Sequence, residues 1–367
     1  MKGICKQLGI LGTLFTFGAV LMMSSDGHLG ASAGTRILAK PSNSASSSPR
    51  TIRWLVAHGA NADIDQPLKQ MQNSLSQRSK GELRLEVVIK DRKTISNAVT
   101  ALEMVETGQY EMAQIYTTTI SSRLDPKFMV FDVPFLFRDH DHASAVIDGP
   151  IGAELLSGLD RFGVKGLGFT YSGGYRILTS KGKSIKSLSD FVDTSVVAMG
   201  GVTNKVISET FEKLGAKPVS GSFAERQKLA EESTKGDVVE TTYTRFWNSG
   251  EHRRLRTISE TYHSMHLTTI VMNKKFFDGL SDNQKKIIAE TSKELAVYER
   301  QQSIRLADEA RDRAKSLGLK VHSVSSEVRN EMMERLRDVG RVGPYPFPRE
   351  LVKRIDGTPS KAFLADR

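Results

Sequence analysis

Between Thr51 and Tyr116 the apolar residues switch repeatedly between a period of two and a period near 3.6, which restricts the chain to folds in which strands and helices take turns. Thr51 to Ala57 is a short apolar strand. Ile64, Leu68, Met71 and Leu75 recur at helical spacing, and Ser79-Lys80-Gly81 ends that helix. Leu83, Leu85, Val87 and Ile89 then alternate with Arg84, Glu86 and Lys90, the pattern of a strand with one polar face. Ile95, Val99, Leu102 and Val105 form another helical stripe, closed near Gly108, and Glu111 to Tyr116 is the next strand. Strands separated by helices of this length favour right-handed crossovers and a mostly parallel sheet with helices on both faces.

A second unit of the same kind begins at Arg176. Ser187 to Val192 reads as a short helix, Ser195 to Met199 as a strand and Thr203 to Leu214 as a helix. After a turn at Gly215 to Pro218 come a short strand, a helix over Phe223 to Glu232 and a strand over Gly236 to Glu240. His266 to Asn273, apolar with threonines, reads as a strand returning to the first unit. The expected class is therefore α/β. Residues 51–175 with 266–280 make one lobe and 176–265 the other, joined by more than one crossing segment as in a clamshell. Ligands of open α/β sheets sit beyond the carboxyl ends of the strands, so strand ends from both lobes should line the cleft.

Ser281 with Gln284 forms a capping box. The helix that it opens is expected to run to about Leu317, with Gly318 as its stop, and Ile287, Thr291, Leu295 and Tyr298 share one face. A further helix is expected over Glu327 to Val339. Residues 281–343 are thus assigned to the long helix and a C-terminal helix, and 344–367, rich in proline and charge, to a tail.

The amino terminus bears on compartment. Lys2 and Lys6 precede an apolar run from Leu8 to Met23, and Ala31-Ser32-Ala33 fits a cleavage site. The run is too short to span a bilayer comfortably, so residues 1–33 read as a cleaved signal peptide and 34–50 as a Ser-rich leader. The expected location is the periplasm. Cys5 is the chain's single cysteine and lies in the removed segment. The mature chain would then hold no disulfide, no thiolate nucleophile and no cysteine-held metal. Cleavage leaves 50 basic and 41 acidic residues, a net +9, which favours anionic ligands as well as solubility.

The stretch from Pro126 to Ser180 carries the most specific signals: Val133-Pro134-Phe135-Leu136-Phe137-Arg138, an acidic and histidine-rich helix start, an apolar strand over Val164 to Thr170, then Gly174-Tyr175-Arg176. Ser79-Lys80-Gly81-Glu82-Leu83, Val105 to Met112, Ser187-Leu188-Ser189-Asp190, Gly215 to Pro218, Phe223-Ala224-Glu225, Asp237 to Glu240 and His266 to Asn273 occur in the same order. From Thr51 to Tyr298 this series resembles the solute-binding proteins of TRAP-type transporters, the DctP-like family. The resemblance implies a two-lobe, periplasmic-binding-protein-like clamshell with a long helix spanning both lobes. It implies a receptor that captures a small organic anion by lobe closure and hands it to a membrane permease, with no enzyme activity and no cofactor. A secreted receptor presenting its ligand to a sensor protein is an alternative, and an exported hydrolase another. The chain has no G-x-S-x-G elbow and no H-E-x-x-H motif. Both monomer and homodimer are open.

The family position gives Arg176 as a clamp for a ligand carboxylate; an interlobe or surface salt bridge is the other reading. Further candidates are His58 at the end of the first strand, Tyr116 and Thr117 at the end of the third, and Met199. In the second lobe they are Phe223, Thr241, Thr242 and Trp247, the last as a pocket wall or as core. One departure stands out. The family carries a second ligand-gripping arginine on the strand after Ser-Leu-x-Asp, and that place, counted from Asp190, holds Val197. Gln227, and Thr241-Thr242 in place of Asn-Pro, are further departures. His140-Asp141-His142 has the spacing of a metal pair, but no third or fourth ligand is visible and no metal is expected. The basic and aromatic run Arg245 to Arg256 reads as a solvated face; export argues against nucleic acid.

Overall fold

The computed structural model describes residues 48–56, 62–89, 98–199, 203–219 and 237–360, all within the unit Ser47–Arg367. His58, Phe223, the helix expected over Phe223 to Glu232 and the signal segment lie outside the described residues. In chain order the elements are β1 (Arg50–Val56), α1 (Ala62–Arg78), β2 (Leu83–Ile89), α2 (Ala98–Glu106), β3 (Met112–Tyr116) and α3 (Thr117–Arg123). A 3-10 helix (Pro126–Asp132), α4 (His140–Ile147), α5 (Pro150–Gly158), β4 (Val164–Tyr175), β5 (Ile177–Ser180), β6 (Ser195–Val197), α6 (Lys205–Leu214) and β7 (Lys217–Val219) follow. Then come β8 (Val238–Thr241), α7 (Tyr243–Asn248), β9 (Thr257–Glu260), β10 (Met265–Asn273), α8 (Lys274–Asp278), α9 (Asp282–Ser316), β11 (Lys320–Ser323), α10 (Ser326–Leu336) and α11 (Arg349–Asp356).

The strands form two sheets, ordered β2-β1-β3-β10-β4 and β11-β9-β5-β8-β6-β7. Both are mixed rather than mostly parallel. β1 runs parallel to β2 and β3, whereas β10 is antiparallel to β3 and β4. In the second sheet β5 is antiparallel to β8 and β9. The reason is topological. β4 passes straight into β5, carrying the chain out of the first sheet, and β9 leads back to β10. A chain that leaves on one strand and returns on its neighbour must run the opposite way. Met265 pairs with Tyr175 and Thr257 with Ser180, so the two crossings form an antiparallel ribbon joining the sheets.

The first sheet buries both faces. Ile52, Trp54, Leu68, Met71, Leu75, Ile288 and Leu295 pack on one side, with α1 and α9. Leu55, Ile115, Phe128, Phe131, Val146 and Phe169 pack on the other. The alternation read in β2 holds for Leu83 and Leu85, which are buried, but fades at the strand's end, where Ile89 is exposed.

Helix α9 begins at the expected Ser281–Gln284 capping box and runs for 35 residues. It packs on α1 and β4 of the first lobe and on α7 and β11 of the second, so it spans both. Just beyond Tyr298, at Glu299, Arg300 and Ser303, its buried side is polar. Glu299 accepts the Tyr171 amide (2.7 Å), Ser303 the Gly173 amide (3.2 Å), and Arg300 donates to the Phe169 carbonyl (2.6 Å). β4 is an edge strand, and these side chains satisfy main-chain groups that an edge leaves open.

The carboxyl-terminal region departs from expectation. Lys320–Ser323 joins the second sheet beside β9. Residues 349–356, read as part of a tail, form α11, which buries Leu351, Val352 and Ile355 and packs on α5. Arg138 donates to the carbonyls of Asp356 (2.8 Å) and Thr358 (2.6 Å), closing the last turn.

Candidate functional site

The ribbon changes sheets at Arg176. Its amide donates to the Ser264 carbonyl (2.9 Å), continuing the ladder where neither sheet supplies a partner. Its side chain is completely buried. Nη2 donates to Asp132 Oδ1 (2.8 Å), and Nη1 to Glu240 Oε1 (3.4 Å) and the Met199 carbonyl (3.5 Å). Asp132 ends the 3-10 helix of the first lobe and Glu240 lies on β8 of the second. Arg176 thus forms an interlobe salt bridge with an acid from each side, the other reading given for this residue beside the ligand clamp.

The network extends further. Asp132 Oδ2 accepts from Asn204 Nδ2 (2.8 Å), the N-cap residue of α6. Glu240 bonds to His263 Nε2 (2.8 Å) and accepts from the Met199 amide (2.6 Å). Burial pushes the Asp132 carboxyl up, with Arg176 and Asn204 offsetting only part of that. Burial acts the same way on Glu240, but Arg176, His263 and the Met199 amide outweigh it and hold the group down at about 2. One guanidinium is shared between two buried carboxylates, and Glu240, with more donors, is the better held as a charge. Two side chains beside the junction take left-handed backbone, Phe135 (φ 53°) and Tyr262 (φ 45°), and the Phe135 amide donates to the His263 carbonyl (2.7 Å). Such outliers concentrate at functional and switching positions.

The other candidates separate into groups. Tyr116 and Thr117 lie at the carboxyl end of β3. The Tyr116 ring stacks on His266 at 4.8 Å, and Thr117 Oγ1 donates to the Leu267 carbonyl (3.2 Å). Met199 uses its main chain in the Arg176 network. Thr241, at the carboxyl end of β8, is buried with its hydroxyl unpartnered among the described residues. Thr242 donates to the Ser172 carbonyl (2.9 Å), pinning the second lobe to the hinge. Trp247, offered as a pocket wall, is turned onto the long helix instead. Its indole N–H donates to the Ala310 carbonyl (3.0 Å), and Arg313 lies over its ring at 4.6 Å. Val197 packs in the apolar cluster of Ile177, Val239, Tyr243 and Phe246. An arginine there would enter the core of the second lobe. The ring nitrogens of His142 are taken by the Arg138 amide (3.2 Å) and the Ile355 carbonyl (2.9 Å), and His140 turns toward Tyr171 and Tyr175.

Sequence reasoning missed Asp132, Asn204, Glu240 and His263 as one network, although Asp132 directly precedes the Val133-Pro134-Phe135 signature. It also missed Arg245. This residue, in α7, donates from Nη1 to the phenol oxygen of Tyr116 (2.6 Å), across the lobes.

Gly173 shows how tightly the hinge is packed. At φ +86°, a Cβ on it would lie 2.1 Å from Thr242 Oγ1 and 2.5 Å from Thr244 Oγ1. Gly173→Ala is expected to cost about 2–4 kcal/mol, combining left-handed strain with overpacking. A urea midpoint equal to wild type would refute this.

Two lobes on an antiparallel ribbon, braced by one spanning helix and locked by a buried ionic network, define a periplasmic-type binding protein. Residues 57–341 match the model of bacterial extracellular solute-binding protein family 7, and the chain belongs to that family, the DctP-like receptors of TRAP-type transporters. It is 28% identical over 232 residues to the 2,3-diketo-L-gulonate-binding periplasmic protein YiaO of Escherichia coli, covering 63% of this chain and 68% of that one. It is 22% identical over 282 residues to the C4-dicarboxylate-binding protein DctB of Bacillus subtilis, covering 77% and 78%. Among solved structures, the sugar acid binding protein DctPAm of Advenella mimigardefordensis, in complex with galactonate, superposes with a TM-score of 0.75 at 24% identity, covering 84% of this chain and 97% of that one. A TRAP periplasmic solute-binding protein of Roseobacter denitrificans with bound β-D-glucuronate gives a TM-score of 0.70 at 22% identity, covering 84% and 100%. Among the described residues, no helix is long and apolar enough to cross a membrane.

Proposed function

We propose that the exported protein captures a small organic acid, of the sugar-acid or dicarboxylate class, between its lobes and delivers it to the membrane permease of a TRAP-type transporter. The observation that carries this reading is the antiparallel ribbon at Arg176, where both sheets, both lobes and the buried ionic network meet. A ribbon bends more easily than a packed interface, so closure around it is the natural motion, and a ligand with higher affinity for the closed form drives it. The relatives point to the acid class, since their names specify 2,3-diketo-L-gulonate, C4-dicarboxylates and galactonate. Tyr116, Thr117 and Thr241 stand at the carboxyl ends of strands from the two sheets, where open α/β sheets bind ligands. No bond in the solute needs to change, and no catalytic group is assigned.

The test is a thermal-shift and calorimetry screen of galactonate, glucuronate, succinate and 2,3-diketo-L-gulonate. A ligand at a hundred times its Kd adds about 2.7 kcal/mol to stability, a shift of several degrees. Absence of any shift and any binding heat across the four acids would end the reading.

A further inference from the structure

We propose that Arg245 is the cation that grips the ligand carboxylate, in a subsite that it shares with Tyr116 across the lobes. The inference rests on the acid-binding reading above and deepens it.

The two positions at which the family places an arginine are already taken. Arg176 is flanked by Asp132 and Glu240, so a third carboxylate brought to it would meet two acids around one guanidinium. Position 197 is valine and packs in the apolar core. Arg245 stands differently. It is half-buried, and among the described residues no carboxylate pairs with it. Nη1 donates to the Tyr116 phenol oxygen (2.6 Å), the guanidinium carbon lies 5.5 Å from that ring's centre, and Nε is buried with no hydrogen-bond partner among the described residues. A guanidinium has five N–H donors in a fixed fork that matches a carboxylate. A buried donor left open is costly unless something comes to accept from it.

The position fits as well. Tyr116 closes β3 of the first sheet. Arg245 lies in the first turn of α7, which follows directly on β8 of the second. Both are carboxyl ends of strands, and the contact between them joins the lobes. A carboxylate bound there would be held by a group that also reaches the opposite lobe, which couples capture to closure.

The experiment is calorimetry with galactonate, glucuronate and succinate on wild type, Arg245→Gln and Arg245→Lys, with urea unfolding of each ligand-free protein. For the acid that wild type binds best, Arg245→Gln is expected to weaken binding about tenfold to a hundredfold at unchanged unfolding midpoint. Arg245→Lys, which keeps the charge and loses the fork, should fall between. Wild-type affinity in Arg245→Gln would overturn the inference and leave the receptor reading standing. Should that variant fail to fold, wild-type affinity in Arg245→Lys would overturn it equally. If wild type binds neither these three acids nor 2,3-diketo-L-gulonate, the reading and this inference fall together.

Discussion

Replacing Arg176 with methionine is expected to destabilise the ligand-free protein by about 3–5 kcal/mol. The side chain is fully buried and bonded to Asp132 at 2.8 Å and Glu240 at 3.4 Å. Removing it leaves two acids in a buried site without their shared cation, held by donors such as His263, Asn204 and the Met199 amide. Urea unfolding without ligand checks this. A residue that acts only as a carboxylate clamp would lose affinity and keep its unfolding midpoint, so an unchanged midpoint would refute the structural role. The coupling is separable. In a Glu240→Gln background the same replacement strands one acid fewer, and its cost should fall by about 1–3 kcal/mol, the usual size for groups in one network.

Acid pH should attack the same junction. Glu240 is held near 2, below the ordinary 4.5. A carboxyl depressed in the folded state contributes stability that is present above its unfolded pKa and is lost as pH falls through the folded one. The window is therefore about pH 4.5 down to about 2, and the amount about 3 kcal/mol. Asp132 runs the other way. Its folded pKa is raised, so its contribution is complete below the ordinary 3.8 and fades as pH rises through the folded value. It adds nothing to the slope below 3.8, where Glu240 dominates. Glu260 is also held near 2, despite burial, by Arg311, Ser323 and two tyrosines, and shares this limb. Glu240→Gln should lower stability at pH 7 by about 2–4 kcal/mol and flatten part of the acid slope. Stability measured from pH 7 to pH 2 with an undiminished slope in the variant would refute the assignment.

The elements with long, regular apolar periods were legible from residues alone: α1, the start of α9, and the strands of the first lobe. The failures have physical causes. The lower half of α9 buries Glu299, Arg300 and Ser303 against main-chain groups of β4, and apolar periodicity does not register polar residues buried that way. α11 was hidden by the prolines around Pro344 to Pro348, although Leu351, Val352 and Ile355 have helical spacing. The sheets were expected mostly parallel because local patterns give strand order without direction, and the ribbon sets direction. The site was the least readable part. Arg176 meets Asp132 and Glu240 at separations of 44 and 64 residues, and Arg245 meets Tyr116 at 129. Only the tertiary fold brings such residues together. Val197 was located by counting along the chain, which gives a position and no facing; the structure supplies the facing, into the core.

The clasp of α9 on β4 has a consequence for tolerance to change. Glu299, Ser303 and Arg300 take hold of peptide groups at Tyr171, Gly173 and Phe169, and every amino acid except proline offers an amide hydrogen there. Side chains along that strand can be exchanged wherever packing allows without loosening the rod from its handles. Proline at 171 or 173 would delete a handle outright, while the carbonyl at 169 would survive any substitution.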